Sequence, residues 1–284
     1  MADADAPRVS EVHSSRSTQG QPHVRVVYRK PAALTADERD AIWALIDRSV
    51  QRDRSAFEAK LAAVGEVFLG YLPGDALVAF GAVDVIEVEH EGQTHALLYT
   101  HWAAYDPEVR GSNLTQHVGV RCFLRYRARH PLRPVYWLFT ASTFHSYLLL
   151  VKNFASFWPR QGEAFPPREH AIVEAAMRAL DDPSWDPASG VLRRKGASRY
   201  REGVVDDDPR VLDHPVVGAA VRFYRERNPG QVEGDSLVCV CPLSLSNWWS
   251  CARAALARSL RRRSRSGAVP RPDAEGRLAV AAGR

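Results

Sequence analysis

The sequence predicts an α/β fold: a mixed central sheet flanked by helices, with an extra helical and strand extension at the C-terminal end. Three observations predict it. Apolar residues alternate with period two and then recur with helical period, in the order strand, two helices, three strands, helix, strand, helix. Residues 135–141 (VYWLFTA) are almost wholly apolar, as expected of a strand covered on both faces. The chain has 284 residues, 45% apolar and 25% charged, which is enough to bury a full core.

The elements follow in order. Residues 23–28 (HVRVVY) read as the first strand, which Pro31 ends. Thr35 with Glu38 three residues on is a capping box, and Ile42, Leu45, Ile46 and Val50 share one helical face. A second helix spans about 55–64 through Phe57, Leu61 and Val64. Strands at 66–72 and 76–89 flank the turn Pro73-Gly74-Asp75, and a third strand covers 95–105 after the turn at Glu91-Gly92. On that third strand alternation places His95, Leu97, Tyr99, His101, Ala103 and Tyr105 on one face. A polar loop at 106–113 leads into a helix at 114–129, and Pro131 and Pro134 break the chain before the apolar strand. Thr143 caps a helix at 144–153.

Beyond residue 158 the pattern is looser. A helix starts at Pro166-Pro167, residues 181–208 read as a long loop, 214–227 as a helix and 237–243 as a strand. The expected organisation is a disordered arm (1–22), a core (23–158), an extension completing or flanking it (159–266) and a disordered tail (267–284). No run of about 18 apolar residues exists, and residues 1–22 lack the apolar stretch of a signal peptide. A cytoplasmic location with reduced thiols is therefore expected. Cys239 and Cys241 alternate with Val238 and Val240 and read as strand packing.

The formal charge is +5, carried almost entirely by arginine, with lysine only at 30, 60, 152 and 195. Arg253, Arg258, Arg261, Arg262, Arg263 and Arg265 form one dense cluster behind Trp248 and Trp249. Such a cluster is either a solvated face or a contact for an anionic surface or nucleic acid. No H-E-x-x-H, P-loop, G-x-S-x-G or dinucleotide fingerprint is present, and the ten histidines show no metal-ligand spacing, so no metal is expected.

The loop before the helix at 114 carries Arg110-Gly111-Ser112-Asn113. Free N–H groups and the positive end of a helix dipole make such a junction an anion site, unless it is only a turn with Ser112 as N-cap. The segment Pro107-Glu108-Val109-Arg110-Gly111-Ser112-Asn113-Leu114-Thr115, with the element order around it, resembles the GNAT acyltransferase superfamily over about residues 23–158. That family has Arg/Gln-x-x-Gly-x-Gly/Ala here. Arg110 matches the first position, whereas Asn113 and Thr115 stand where the family prefers Gly and Gly/Ala. The resemblance implies that Arg110, Gly111, Ser112, Asn113, Leu114 and Thr115 hold the donor, an acyl-CoA or an acyl-carrier-protein thioester.

The helix at 144–153 is similar to the family's second signature. Asn153-Phe154 replaces its Gly-Phe pair, and Leu149 occupies the usual tyrosine position. Tyr147, half a turn away, is the resulting candidate acid, and His145 is a second. His101, near the end of its strand, is the candidate base, with a hydrogen-bonded core histidine as the plain alternative. The implied reaction moves an acyl group from a thioester to an amine or other nucleophile on a small-molecule or carrier-bound substrate. The alternatives are a non-catalytic GNAT-like binding module and a binder of anionic surfaces or nucleic acid through Arg253–Arg265.

Overall fold

The computed structural model describes residues 23–109, 114–195, 198–201 and 212–266. Strands β1 (Arg25–Arg29), β3 (Glu66–Tyr71), β4 (Leu77–His90) and β5 (Gln93–Tyr105) form an antiparallel run. Strand β6 (Val135–Ala141) then pairs with β5 in parallel. Parallel neighbours need a long crossover, and α3 (Leu114–Arg129) supplies it. Antiparallel β10 (Ser236–Pro242), β8 (Val191–Leu192) and β7 (Trp185–Asp186) complete an eight-stranded mixed sheet of order β1-β3-β4-β5-β6-β10-β8-β7. Strands β2 (Val50–Arg52) and β9 (Ser198–Tyr200) pair separately.

Seven α-helices are present among the described residues. Those packed on one face of the sheet include α3, α4 (Phe144–Asn153) and α6 (Pro215–Arg227), which bury Val118, Cys122, Leu148 and Tyr224. The other face takes α1 (Ala36–Asp47), α2 (Arg54–Ala63) and α5 (Pro167–Leu180), through Ile42, Phe57 and Ile172. Local chemistry sets the helix starts. The Thr35 hydroxyl accepts from Glu38 N–H at 3.1 Å and the Glu38 carboxylate accepts from Thr35 N–H at 3.0 Å. Asp53 and Thr143 cap α2 and α4 with one acceptor each.

Two readings of the sequence are corrected here. Residues 181–208 are not one loop, because they contain β7, β8 and β9, each of two or three residues. Strands so short leave no periodicity to read, and β8 and β9 pair with β10 and β2, far away in sequence. The arginine-rich segment, read as a face or tail, lies on a 22-residue helix, α7 (Leu245–Ser266). The segments 1–22 and 267–284, expected to be disordered, lie outside the described residues.

One buried amide ties this last helix to the sheet. Asn247, fully buried, accepts at Oδ1 from the N–H groups of Ala155 (3.0 Å) and Ser156 (2.9 Å). Its Nδ2 donates to the carbonyls of Ser156 and Pro242, each at 2.8 Å. The end of β10, the chain after α4 and the start of α7 are thereby fixed to one side chain. Asn247→Ala leaves two backbone donors without their acceptor, at about 1–3 kcal/mol each. Urea unfolding of that variant should show a loss of about 3 kcal/mol, well above what an exposed substitution costs.

Candidate active site

The site is built where β5 loses its neighbour. Strands β5 and β6 pair only from Ala96↔Val135 to Thr100↔Phe139, although β5 continues to Tyr105. At the same level the β4–β5 register shifts: Ala82 faces Trp102 and Val83 faces Thr100, which leaves His101 as the extra residue of a β-bulge. A bulge puts two consecutive side chains on one side of the sheet. Trp102 accordingly packs with Phe57 of α2, and His101 lies against both Tyr99 and Trp102, with centroids 4.3 and 5.5 Å away. Strict alternation, which placed His101 and Tyr105 on one face, fails for this reason. Tyr105 lies on the opposite side, among the residues that pack with α3.

On the α3 face the gap forms an apolar cavity of about 60 Å³. Its floor includes Leu98 and Thr100, and Tyr105, Thr115 and Gly119 form the α3 side. Leu149 and Phe154 enter from α4 and its C-cap, and Trp248 and Cys251 close it from α7. Trp137 Nε1 donates to Thr100 Oγ1 at 3.0 Å, and the Tyr105 hydroxyl meets Thr115 Oγ1 at 2.8 Å. Burial pushes the Tyr105 phenol up to about 12, so it stays protonated.

On the opposite face His101 Nε2 lies 2.6 Å from Asp84 Oδ2. The second oxygen of Asp84 accepts the N–H of Gly65. A Cβ on Gly65 would sit 2.3 Å from that oxygen, so only glycine admits the contact. A carboxylate held at both oxygens fixes the ring, with Nε2–H toward Asp84 and Nδ1 left as the basic nitrogen. Burial raises the Tyr99 phenol to about 12, while Arg194 opposes and Asp182 reinforces the rise. Burial alone would raise Asp182, but the Ser184 hydroxyl and Arg194, 2.9 Å away, hold it below the usual carboxylate range.

The same face carries positive charge. The Arg52 guanidinium lies over the Phe57 and Trp102 rings at 5.8 and 5.9 Å, and burial lowers its pKa. Lys60 is lowered as well, first by burial and then by Arg194. The corner beside His101 and Trp102 thus carries the Arg52 guanidinium, and Arg194 on this side is paired with Asp182.

The structure brings together some of the sequence candidates and separates others. Thr115 lines the cavity, and Leu114 is buried in the adjoining core. Arg110, Gly111, Ser112 and Asn113 lie outside the described residues. Tyr147 does not line the cavity: it is fully buried, donates to the Pro159 carbonyl at 3.0 Å, and burial pushes its phenol far up. His145 is exposed, with its ring 4.0 Å from that of Phe144, and does not line the cavity either. Helical period explains Tyr147, which lies about 200° round α4 from Leu149, whereas His145 shares the stripe of Leu149 and Asn153 but sits one turn before them. Asp84, Gly65 and Arg52 escaped the sequence reading. A lone carboxylate in AVDVI was the available signal. No group of His, Cys, Asp and Glu suited to a metal occurs among the described residues. No described helix is long and apolar enough to cross a membrane.

About half of the chain is similar in fold to known N-acyltransferase structures. A probable N-acyltransferase of Enterococcus faecalis matches at 12% identity and TM-score 0.34, over 45% of this chain and 31% of its own length. The chain therefore spans about a third of that protein. A NatC complex bound to Gag peptide and CoA matches at 10% identity and TM-score 0.35, over 48% of this chain and 86% of the other. An aminoglycoside acetyltransferase from an uncultured soil sample matches at 14% identity and TM-score 0.34, over 50% and 94%. The likeness is partial and carries no relative's chemistry over to this chain. No protein-family model matches the sequence. No curated protein is similar to it by sequence.

Two outcomes test this geometry. Gly65→Ala should displace the Asp84 carboxylate and cost about 1–3 kcal/mol in chemical unfolding, as other overpacked sites do. Tyr99 and Tyr105 ionise near pH 10 when unfolded but only near 12 when folded. Their contribution to stability is complete below pH 10 and is lost as pH rises through about 12. In an absorbance titration of tyrosinate, Tyr105→Phe should shrink this late alkaline phase.

Proposed function

We propose that this chain is a GNAT-like acyltransferase, taking an acyl group from a thioester in the α3-face cavity to a nucleophile held beside His101. The observation that carries the reading is the bulge at His101. At one point of one strand, the bulge and the end of β5–β6 pairing set an apolar pocket on one side. The same point sets an oriented His–Asp pair on the other. Donor and acceptor would meet through the gap that β6 leaves open.

The donor's thioester end suits the apolar cavity, whose 60 Å³ holds on the order of four water-sized groups. A short acyl group fits that space better than a fatty chain. The anionic part of a CoA donor would lie toward the start of α3, where Thr115 and Gln116 line the cavity and helix N–H groups lack intrahelical partners. An acyl-carrier-protein thioester presents the same apolar end to the cavity.

In the reaction, a nucleophile such as an amine attacks the thioester carbonyl carbon. The new C–N bond forms, the C–S bond breaks, His101 Nδ1 takes the proton released from nitrogen, and the departing thiolate gains a proton from solvent as the imidazolium loses its own, so that the donor leaves as a thiol. Asp84 stabilises the resulting imidazolium. Alignment of the two reactants across the gap supplies a large part of the rate. The partly buried Lys60 ammonium favours an acceptor that carries a carboxylate or phosphate near its nucleophile.

Thermal unfolding with saturating short-chain acyl-CoAs tests the donor half. A ligand at about 100 times its dissociation constant adds about 2.7 kcal/mol, which raises the melting temperature of a chain this size by roughly 5–10 °C. Gly119 provides the control, because a Cβ there meets no atom within 4 Å and glycine weakens a helix. Gly119→Leu should keep the fold and abolish the shift by filling the cavity. His101→Gln should keep the shift and reduce thiol release to acidic amine acceptors by about 10²–10⁴-fold. No shift with any acyl-CoA would refute the CoA donor and turn the test to carrier-protein thioesters.

A further inference from the structure

The outer face of α7 is amphipathic in a way that the proposed acyl transfer does not use. Its inner residues Asn247, Trp248 and Cys251 hold the helix to the sheet and wall the cavity. Its outer residues Leu245 (89% exposed), Trp249 (66%), Leu256 (61%) and Leu260 (55%) are large and apolar. Their spacings of four, seven and four residues put them on one side of the helix. The helix carries Arg253, Arg258, Arg261, Arg262, Arg263 and Arg265, and not one Asp or Glu. An exposed apolar stripe on a helix whose sequence carries six arginines and no acidic residue is the composition of a helix that lies in a lipid–water interface.

We propose that α7 docks this protein on an anionic lipid surface, with Leu245, Trp249, Leu256 and Leu260 entering the headgroup region and the arginines pairing with lipid phosphates. The other occupants fit less of the surface. Nucleic acid would pair with the arginines but leaves four apolar side chains without a role. A second copy would cover the stripe but bring two sets of six arginines together. Tryptophan, leucine and arginine on one helix suit an interface, where the indole and the long cationic stems are each half apolar. Docking would place the cavity, walled by the inner side of the same helix, within about one helix diameter (~10 Å) of the lipid.

The test is co-sedimentation of the full chain with vesicles of phosphatidylcholine alone and of phosphatidylcholine with phosphatidylglycerol. Binding to the anionic vesicles is expected, weakening at least ten-fold between low and high salt. Replacing Trp249, Leu256 and Leu260 together by Ser should lower the binding at least ten-fold. Because all three are exposed, the fold survives, as circular dichroism and an unchanged melting temperature would show. Equal binding to duplex DNA, unaffected by the triple variant, would overturn the proposal in favour of nucleic acid. Absence of binding to anionic vesicles at low salt, or a triple variant that self-associates less while binding lipid equally well, would overturn it too.

Discussion

Everything at the candidate site depends on where β6 stops following β5. Five residue pairs hold the two strands in parallel, from Ala96↔Val135 to Thr100↔Phe139, and then β5 runs on for five residues with β4 as its one remaining neighbour. A strand in mid-sheet that loses one partner exposes unpaired backbone groups, which a folded chain leaves open only where something else can enter. The bulge at His101 lies at that boundary and adds local twist to β5 as it leaves the sheet. It also reverses which side each later residue faces. Had the strand kept strict alternation, Trp102 would face α3 and fill the cavity, and Tyr105 would crowd the α2 side instead.

The two sides of this gap are chemically unlike, and their difference follows from what each helix layer brings. On the α3 side the cavity is nearly all carbon, so its few hydroxyls pair with near neighbours, as Tyr105 does with Thr115 and Trp137 with Thr100. On the α2 side a single glycine makes a carboxylate possible. Gly65 lets Asp84 reach a backbone N–H, and a carboxylate so anchored has one oxygen free to orient His101. Arg52 and Lys60 nearby are partly desolvated, and burial lowers the pKa of each. An apolar pocket and a polar corner thus share one strand.

The alternating elements of residues 23–153 were legible because their helices and strands are long and their periods distinct. Val135–Ala141 announced a central strand by its unbroken apolar run, and the Thr35–Glu38 capping box fixed the start of α1. Strands β2, β7, β8 and β9 were not legible, because two or three residues carry no period, and β2–β9 and β8–β10 pair across long stretches of sequence. At the site, His101 could be singled out by its ionisable ring near a strand end. Its companions could not, since a bulge is a property of two paired strands, and Asp84 joins His101 only through the β4–β5 register. Tyr147 and His145 illustrate the converse. A motif position names a helix, but Tyr147 lies two residues, about 200°, round from Leu149, and His145, on the stripe of Leu149 and Asn153, sits one turn before them and does not line the cavity.

The segment after residue 158 belongs physically to this site. Strand β10 covers the far edge of β6, so the parallel pair that opens the gap is held from both sides. Immediately after β10, Asn247 pins the start of α7 against the chain following α4, and that anchor sets Trp248 and Cys251 as the cavity's fourth wall. Deleting the extension would therefore uncover the apolar cavity and free the edge of β6 at once. A strand edge and an apolar pocket that are exposed together invite aggregation. The same 22-residue helix that closes the cavity inward presents a stripe of Leu245, Trp249, Leu256 and Leu260 outward.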